Sequence, residues 1–314
     1  MTTPGARNRP WEGQPQPHPI LATAVIPWTE QYEFAEGIFR REVRAIAEGL
    51  TRHIYIFGTA GEGHAVTDSQ FGQIASAFWK VSGECGVRPM AGVISLSLGT
   101  VIERIARARD LGFREFQISL PAWGALTDRE LDRFFAETCG RFPDCFFLHY
   151  NVARVKRMLT AADYRRLEQA HPNLVAVKAT GVDAPQAREF LTTVPRLKFY
   201  FTEPGYVAGR KVGPCGLLIS MCSMHHGLAH QFVDGDDTLR EEFAAEFREI
   251  GQMLKEKISQ GRLHMDGAYD QMIFRVNHPW FPTRLLPPYE GASEEDFRLF
   301  RENLPARWKL ENPS

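Results

Sequence analysis

Apolar residues fall into eight short runs, separated by longer stretches in which they recur three or four positions apart. The runs span 20–26, 53–57, 89–94, 115–120, 145–149, 174–178, 197–201 and 216–221. Several lack the polar–apolar alternation of a strand with one wet face. Strands buried on both faces of a parallel sheet read this way. The stretches between them carry a helical period. Ile38, Val43, Ile46 and Leu50 form one stripe, Phe71, Ile74, Ala75 and Phe78 a second, and Val101, Ile105, Ala106 and Arg109 a third, where Leu111 closes onto Gly112.

Helix starts are marked as well. Thr127 followed by Glu130 fits a capping box, in which hydroxyl and carboxylate each satisfy an orphan backbone N–H. Thr160 with Asp163, and Ser293 with Asp296, are shorter-armed versions. Eight strands alternating with helices predict a (β/α)8 barrel, a TIM barrel with additional C-terminal helices over 236–261 and 293–304. A doubly wound sheet is the alternative, but no Gly-x-Gly-x-x-Gly follows the first run and no Walker loop occurs. The expected organisation is one structural domain. Residues 1–19 form a flexible arm, 20–233 the barrel, and 234–314 a helical region packed on it.

Composition removes several functions. Across 314 residues, Lys plus Arg is 37 and Asp plus Glu is 38, a net charge of −1. Such a chain has no electrostatic footprint for nucleic acid and no polybasic membrane anchor. Positions 212–233 hold no Asp, Glu, Lys or Arg, but Gly213, Pro214 and three histidines make them a poor membrane span. The first residues do not form a secretory signal, and a cytoplasmic location is expected. The five cysteines include no Cys-x-x-Cys pair and are expected to be reduced and mostly buried.

In such a barrel the reactive residues sit at the C-terminal ends of the strands. The second run ends Gly58-Thr59-Ala60-Gly61-Glu62-Gly63, where glycines let backbone approach a ligand and successive amides can bind a carboxylate or phosphate. A tight turn without a ligand is the alternative. The fifth ends at Tyr150-Asn151, and a phenol there is either a proton shuttle or an aromatic plug. The sixth, Leu174-Val175-Ala176-Val177-Lys178, closes an apolar strand with a lysine. Alternation puts Leu174, Ala176 and Lys178 on one face. If that face is the interior, the ammonium is desolvated and the neutral amine can form an imine with a ketone; otherwise the side chain reaches out to water. His226 and His230, four apart, are weak metal candidates, and no metal is expected. Arg154, Lys156 and Arg157 form either a substrate-carboxylate clamp or a solvated loop.

Taken together, these segments resemble the dihydrodipicolinate synthase / N-acetylneuraminate lyase family of class I pyruvate-handling aldolases. The resemblance is carried by Gly58-Thr59-Ala60-Gly61-Glu62, Tyr150-Asn151-Val152 and Val175-Ala176-Val177-Lys178, on the second, fifth and sixth strands, and by Arg284-Leu285-Leu286-Pro287-Pro288. It implies that Lys178 forms the imine, Tyr150 moves the proton, and the turn at Gly58, Thr59 and Ala60 holds the 2-oxo acid carboxylate on backbone amides. It implies a homo-oligomer, tetramer or dimer, and no cofactor beyond the covalent lysine imine.

Three positions depart from the family pattern. Ala60 stands where a second hydroxyl relays protons, Val155 where synthases carry an Arg, and Trp123 where they carry a Tyr. Pro121-Ala122-Trp123 resembles the corresponding segment of hydratase-aldolases, in which Trp123 would suit an apolar or aromatic aldehyde; a loop anchor or subunit contact is the alternative. Ile219 is expected to bind substrate, and the exit Ser220-Met221-Cys222-Ser223-Met224-His225-His226 to form a soft pocket wall at the variable end of the substrate, which changing Met224 and His225 would test. The expected function is a lyase or aldolase that makes or breaks a C–C bond between pyruvate and an aldehyde. Its rivals are a hydro-lyase acting on a 2-keto-3-deoxy sugar acid through the same imine, and a non-catalytic paralogue that binds a 2-oxo acid.

Overall fold

A computed structural model describes residues 20–309; the expected arm at 1–19 lies outside them. The strands are β1 (Ile20–Thr23), β2 (His53–Ile56), β3 (Arg88–Gly92), β4 (Glu115–Ile118), β5 (Phe146–Asn151), β6 (Leu174–Ala179), β7 (Lys198–Phe201) and β8 (Gly216–Leu218). All pair in parallel with their sequence neighbours, and β8 closes on β1. The helices are α1 (Glu36–Gly49), α2 (Asp68–Cys85), α3 (Leu98–Leu111), α4 (Asp128–Phe135), α5 (Ala161–Ala170), α6 (Ala184–Thr193), α7 (Glu203–Arg210), α8 (His226–Asp234), α9 (Asp237–Met253), α10 (Asp266–Asn277) and α11 (Glu294–Asn303). The chain is thus a (β/α)8 TIM barrel followed by C-terminal helices.

The capping boxes expected at Thr127, Thr160 and Ser293 are all formed, and Gly112 ends α3 at φ 119°. The single long helix expected over 236–261 is instead α9 followed by a π-helical turn, Leu254–Ser259. The separate helix α10 comes next, without a side-chain cap to announce it.

Alternation along the strands sorts their residues into two packed layers. Leu21, Tyr55, Met90, Leu148, Ala176, Tyr200 and Leu218 fill the barrel interior, and buried Gln117 supplies the inward side chain of β4. Outward residues such as Ile54, Phe116, Val177 and Phe199 pack under the helices. Leu174 does not share a face with Ala176 and Lys178, as alternation alone would have it. Leu174 pairs with Phe147 and Ala176 with Leu148, so Val175 is an extra residue in β6. This bulge puts Leu174 with the outer layer, while Ala176 and Lys178 face inward.

At the N-terminal end of the barrel, Glu115 accepts hydrogen bonds from Arg88 and, at 3.3 Å, from His53. Burial alone would raise its pKa, but these two partners overcome it and hold the carboxyl below its usual range.

The opposite end is clamped by buried polar side chains. Arg104 donates to the carbonyls of Gly63, Ile94 and Val66 at 2.9–3.0 Å, joining the loops after β2 and β3. Glu203 accepts from the Ser220 and Cys222 amides at 2.8 and 3.2 Å and shapes the exit of β8. Asn151 exchanges two hydrogen bonds with the backbone of Leu159 and closes the loop after β5.

All five cysteines are free; Cys85 is half-buried and the other four are buried. Among the described residues, no helix is long and apolar enough to cross a membrane.

Candidate active site

Lys178 ends the inward face of β6 and is 3% exposed. Its Nζ donates to Tyr55 Oη at 2.8 Å and to Gln117 Oε1 at 3.3 Å. It also lies 3.9 Å from the centre of the Tyr150 ring. Burial pulls its pKa down to about 7, and the acidic Asp266 and Asp270 oppose the shift. The ammonium is therefore desolvated, and a large fraction of the amine is neutral near pH 7. The alternative in which the lysine reaches out to water does not hold.

The turn after β2 stands beside it. Phe57 adopts φ 60° and Glu62 φ 51°, conformations uncommon outside glycine. A Cβ built on Gly58 would meet Tyr55 Cε2 at 2.6 Å and Lys178 Nζ at 3.4 Å, so glycine is what lets the turn approach the lysine. Within the turn, the Gly63 and Glu62 amides donate to Gly58 and Thr59 carbonyls. Among the described residues, the Thr59 and Ala60 amides have no acceptor. Two such amides next to a buried lysine form a ready seat for a carboxylate.

Glu62 holds this turn from behind. It accepts from Trp28 Nε1 at 2.6 Å and from the Leu286 amide at 2.7 Å. The two sequence segments at 58–62 and 284–288 thus meet in space. Burial raises Glu62 to about 7, and the two hydrogen bonds act against the shift.

Tyr150 is 3% exposed. Burial pushes its phenol well above the usual range, Asp266 adds to the shift, and the Thr59 hydroxyl opposes it. The phenol is protonated at neutral pH and can donate.

A cleft of about 630 Å3 opens above Lys178. Ala60, Tyr150, Ile219, Ser220 and Met221 line it, together with Thr23, Thr180 and Thr202. Asp266 and Asp270 enter from α10, one helical turn apart. Ser220 Oγ donates to Asp270 Oδ1 at 3.0 Å, and Arg154 Nη2 to Asp266 Oδ1 at 2.8 Å. Burial pushes the Asp270 carboxyl up to about 7; Asp266 acts in the same direction, while Ser220 and Lys178 oppose it.

A second cavity of about 560 Å3, lined by Thr59, His64, Ser95 and Ser119, lies across the Tyr150–Arg154 wall. Tyr150 and Arg154 line both.

Lys178, Tyr150, Gly58, Thr59, Ala60 and Ile219 therefore converge. Trp123 does not. It is 81% exposed on the loop between β4 and α4, its carbonyl accepting from Lys156 Nζ, and it lies outside the cleft. Met224 is buried elsewhere and the His225 ring caps α8, so neither lines the cleft; Ser220 and Met221 do. Of the basic run, Arg154 lines the cleft, whereas Arg157 is held by Asp128 and the Leu126 carbonyl. His230 bonds the Gly49 carbonyl, and no metal-type cluster of three or more side chains exists among the described residues.

Sequence reasoning missed Tyr55, Gln117, Asp266 and Asp270. The first two stand at inward positions of β2 and β4 and were open to strand alternation. The two aspartates are near the barrel only because α10 folds back over it.

A family model described as the dihydrodipicolinate synthetase family matches residues 16–202. The sequence matches no curated protein. Solved structures with a similar fold include a prophage protein of the dihydrodipicolinic acid synthase family from E. coli K12 in complex with pyruvate. It is 15% identical with TM-score 0.78, covering 91% of this chain and 96% of that one. The lysine-bound dihydrodipicolinate synthase of Cyanidioschyzon merolae is 18% identical with TM-score 0.78, covering 91% and 96%. A catalytic lysine mutant of the Ruminococcus gnavus sialic acid aldolase is 14% identical with TM-score 0.78, covering 91% and 93%. At these identities the structures share the fold, while the family model reaches over more than half of the sequence. The chain belongs to the dihydrodipicolinate synthetase family.

Proposed function

We propose that the protein is a lyase that forms a Schiff base between Lys178 and a 2-oxo acid and makes or breaks a C–C bond to an aldehyde. The reading rests on a neutral-capable buried amine standing beside two unpaired backbone amides. The carboxylate of the 2-oxo acid sits on the Thr59 and Ala60 amides, which places its ketone against Lys178. The amine adds to the carbonyl carbon, and water leaves to give the protonated imine. That imine accepts the electron pair released when the C3–C4 bond breaks, while a base takes the proton of the C4 hydroxyl and the aldehyde departs. Tyr150, protonated at rest, gives its proton to the hydroxyl that leaves as water when the imine forms; the phenolate so made takes the C4 hydroxyl proton, and addition runs through the same steps reversed. Lys178 supplies the electron sink, so no metal or organic cofactor is needed. By family resemblance the protein acts as a homo-oligomer, dimer or tetramer.

The cleft lining changes the reading of the aldehyde. Trp123 is absent from it, while Thr23, Thr180, Thr202, Ser220 and Asp270 supply hydrogen-bonding groups. These groups suit a hydroxylated acceptor, while Val152, Leu218, Ile219, Met221, Leu254 and Ile273 in the same cleft offer an apolar wall for its carbon chain. The same lining supports a second reading, loss of water from a 2-keto-3-deoxy sugar acid through the same imine.

Borohydride trapping with pyruvate, read by peptide mass spectrometry beside Lys178→Ala, tests the imine. An adduct on the Lys178 peptide is expected; its absence in folded protein would return the chain to a non-catalytic binding role. Product analysis then separates the chemistries: pyruvate plus an aldehyde for C–C cleavage, one oxo acid with all carbons retained for dehydration.

A further inference from the structure

Asp270 is the one cleft-lining carboxylate that the imine chemistry assigns no step and that, among the described residues, forms no ion pair, although the charge of Lys178 acts on it across the cleft. Arg154 is engaged with Asp266 at 2.8 Å, and among the described residues no Lys, Arg or His pairs with Asp270. Its hydrogen bond is from a neutral hydroxyl, Ser220 Oγ. Lys255 lines the cleft from the exposed rim, where water screens its charge. Asp270 is nevertheless fixed in place. α10 is seated on the carboxylate-binding turn, and a Cβ on Gly267 would lie 3.0 Å from the Ala60 carbonyl and 2.9 Å from Leu285. Gln271, the next residue, donates to the carbonyls of Ile26 and Arg284 at 3.3 and 3.1 Å. The carboxylate is thus held by a clamped helix beside the β8 exit. It lines the same cleft as Lys178 and Ala60, within which a substrate chain fixed at the β2 turn and at the lysine has to extend.

We propose that Asp270 reads the substrate beyond the imine carbon, accepting a hydrogen bond from a hydroxyl on that chain and repelling a carboxylate at the same place. This rests on imine formation at Lys178. Asp270 acts as a specificity residue: it selects polyhydroxylated chains with neutral ends and excludes dicarboxylic 2-oxo acids. A carboxylate acceptor that gains a hydroxyl donor, against one left facing a methyl or an anion, favours the hydroxylated chain about 10- to 100-fold.

Three 2-oxo acids of one chain length isolate the effect without any turnover: 2-oxopentanoate, 5-hydroxy-2-oxopentanoate and 2-oxoglutarate. None carries a C4 hydroxyl, so none undergoes the cleavage step. Each is trapped on Lys178 with cyanoborohydride over a concentration series at pH 8.5, where Asp270 is ionised. Its half-saturating concentration is divided by that of pyruvate in the same variant, which removes any general change in the lysine. In the wild type the hydroxy acid should saturate lowest and 2-oxoglutarate about 10-fold or more higher. Asp270→Asn should bring 2-oxoglutarate at least 10-fold closer to the hydroxy acid, and Asp270→Ala should erase the difference between hydroxyl and methyl ends. The same order in the wild type and both variants, with pyruvate still trapped, overturns the role of Asp270 alone. So does tight wild-type trapping of 2-oxoglutarate, which would make Arg154 the reader. Failure to trap pyruvate on wild-type Lys178 overturns the imine reading and this inference with it.

Discussion

The amine of Lys178 is expected to titrate near neutrality. An ordinary lysine starts at 10.5, and burial brings this one to about 7. At pH 7 an ordinary lysine is neutral in about one molecule in 3,000, and Lys178 in about half, a gain in nucleophile of roughly 10^3. The rate of pyruvate trapping by cyanoborohydride, followed on the Lys178 peptide from pH 5.5 to 10, should climb about tenfold per pH unit below the midpoint and level off above about 7. Asp266 and Asp270 favour the ammonium, so Asp266→Asn or Asp270→Asn should move the midpoint lower. Asp270 itself titrates in this window, so the wild-type limb belongs to the pair, and the Asn variant separates the two. Stability supplies an independent reading. Between about 7 and 10.5 the unfolded chain holds the lysine proton more firmly than the folded one, so stability rises with pH by about 1.4 kcal/mol per unit. Lys178→Met should lose that slope in denaturant titrations. A trapping rate that keeps rising log-linearly past pH 9, or a variant with an unchanged stability slope, would refute the desolvated amine.

Gly58→Ala drives a methyl into the buried Tyr55 ring and against Lys178. Pyruvate trapping should slow at least tenfold, and denaturant melts should show a loss of about 1–3 kcal/mol. Glu62 binds its proton more tightly folded than unfolded between about 4.5 and 7, so the wild type should lose stability relative to Glu62→Gln as pH rises through that window. The loss, on the order of 3 kcal/mol, is measurable by urea titration at each pH. Trp123→Ala should leave the half-saturating pyruvate concentration for trapping within about twofold, since the side chain lies outside the cleft. If the electron sink is the proposed imine, dialysis against a chelator should leave trapping and turnover intact.

The residues explain why Ala60 need not disable the site. The proposed carboxylate seat needs only the backbone amide at 60, which any residue but proline provides. The missing hydroxyl removes one proton relay from beside Tyr150. Thr59 remains, and its hydroxyl acts on the Tyr150 phenol.

Much of this protein follows from local patterning. The buried apolar runs, the helical stripes and the Thr127, Thr160 and Ser293 caps are set by contacts within a few residues. They are enough to specify a barrel whose strand ends bring Lys178, Tyr150 and the Gly58–Glu62 turn to one mouth. What the tertiary structure alone decided lies in contacts between distant segments. The extra residue in β6 turns Leu174 away from the face that periodicity gives it. The loop after β4 carries Trp123 out to solvent. Asp266 and Asp270 reach Lys178 across some ninety positions of sequence, because Gly267 seats α10 on the turn after β2. Pattern records which face of an element is apolar. It does not record which distant element will cover the barrel mouth, and that packing sets the charge around the reactive amine.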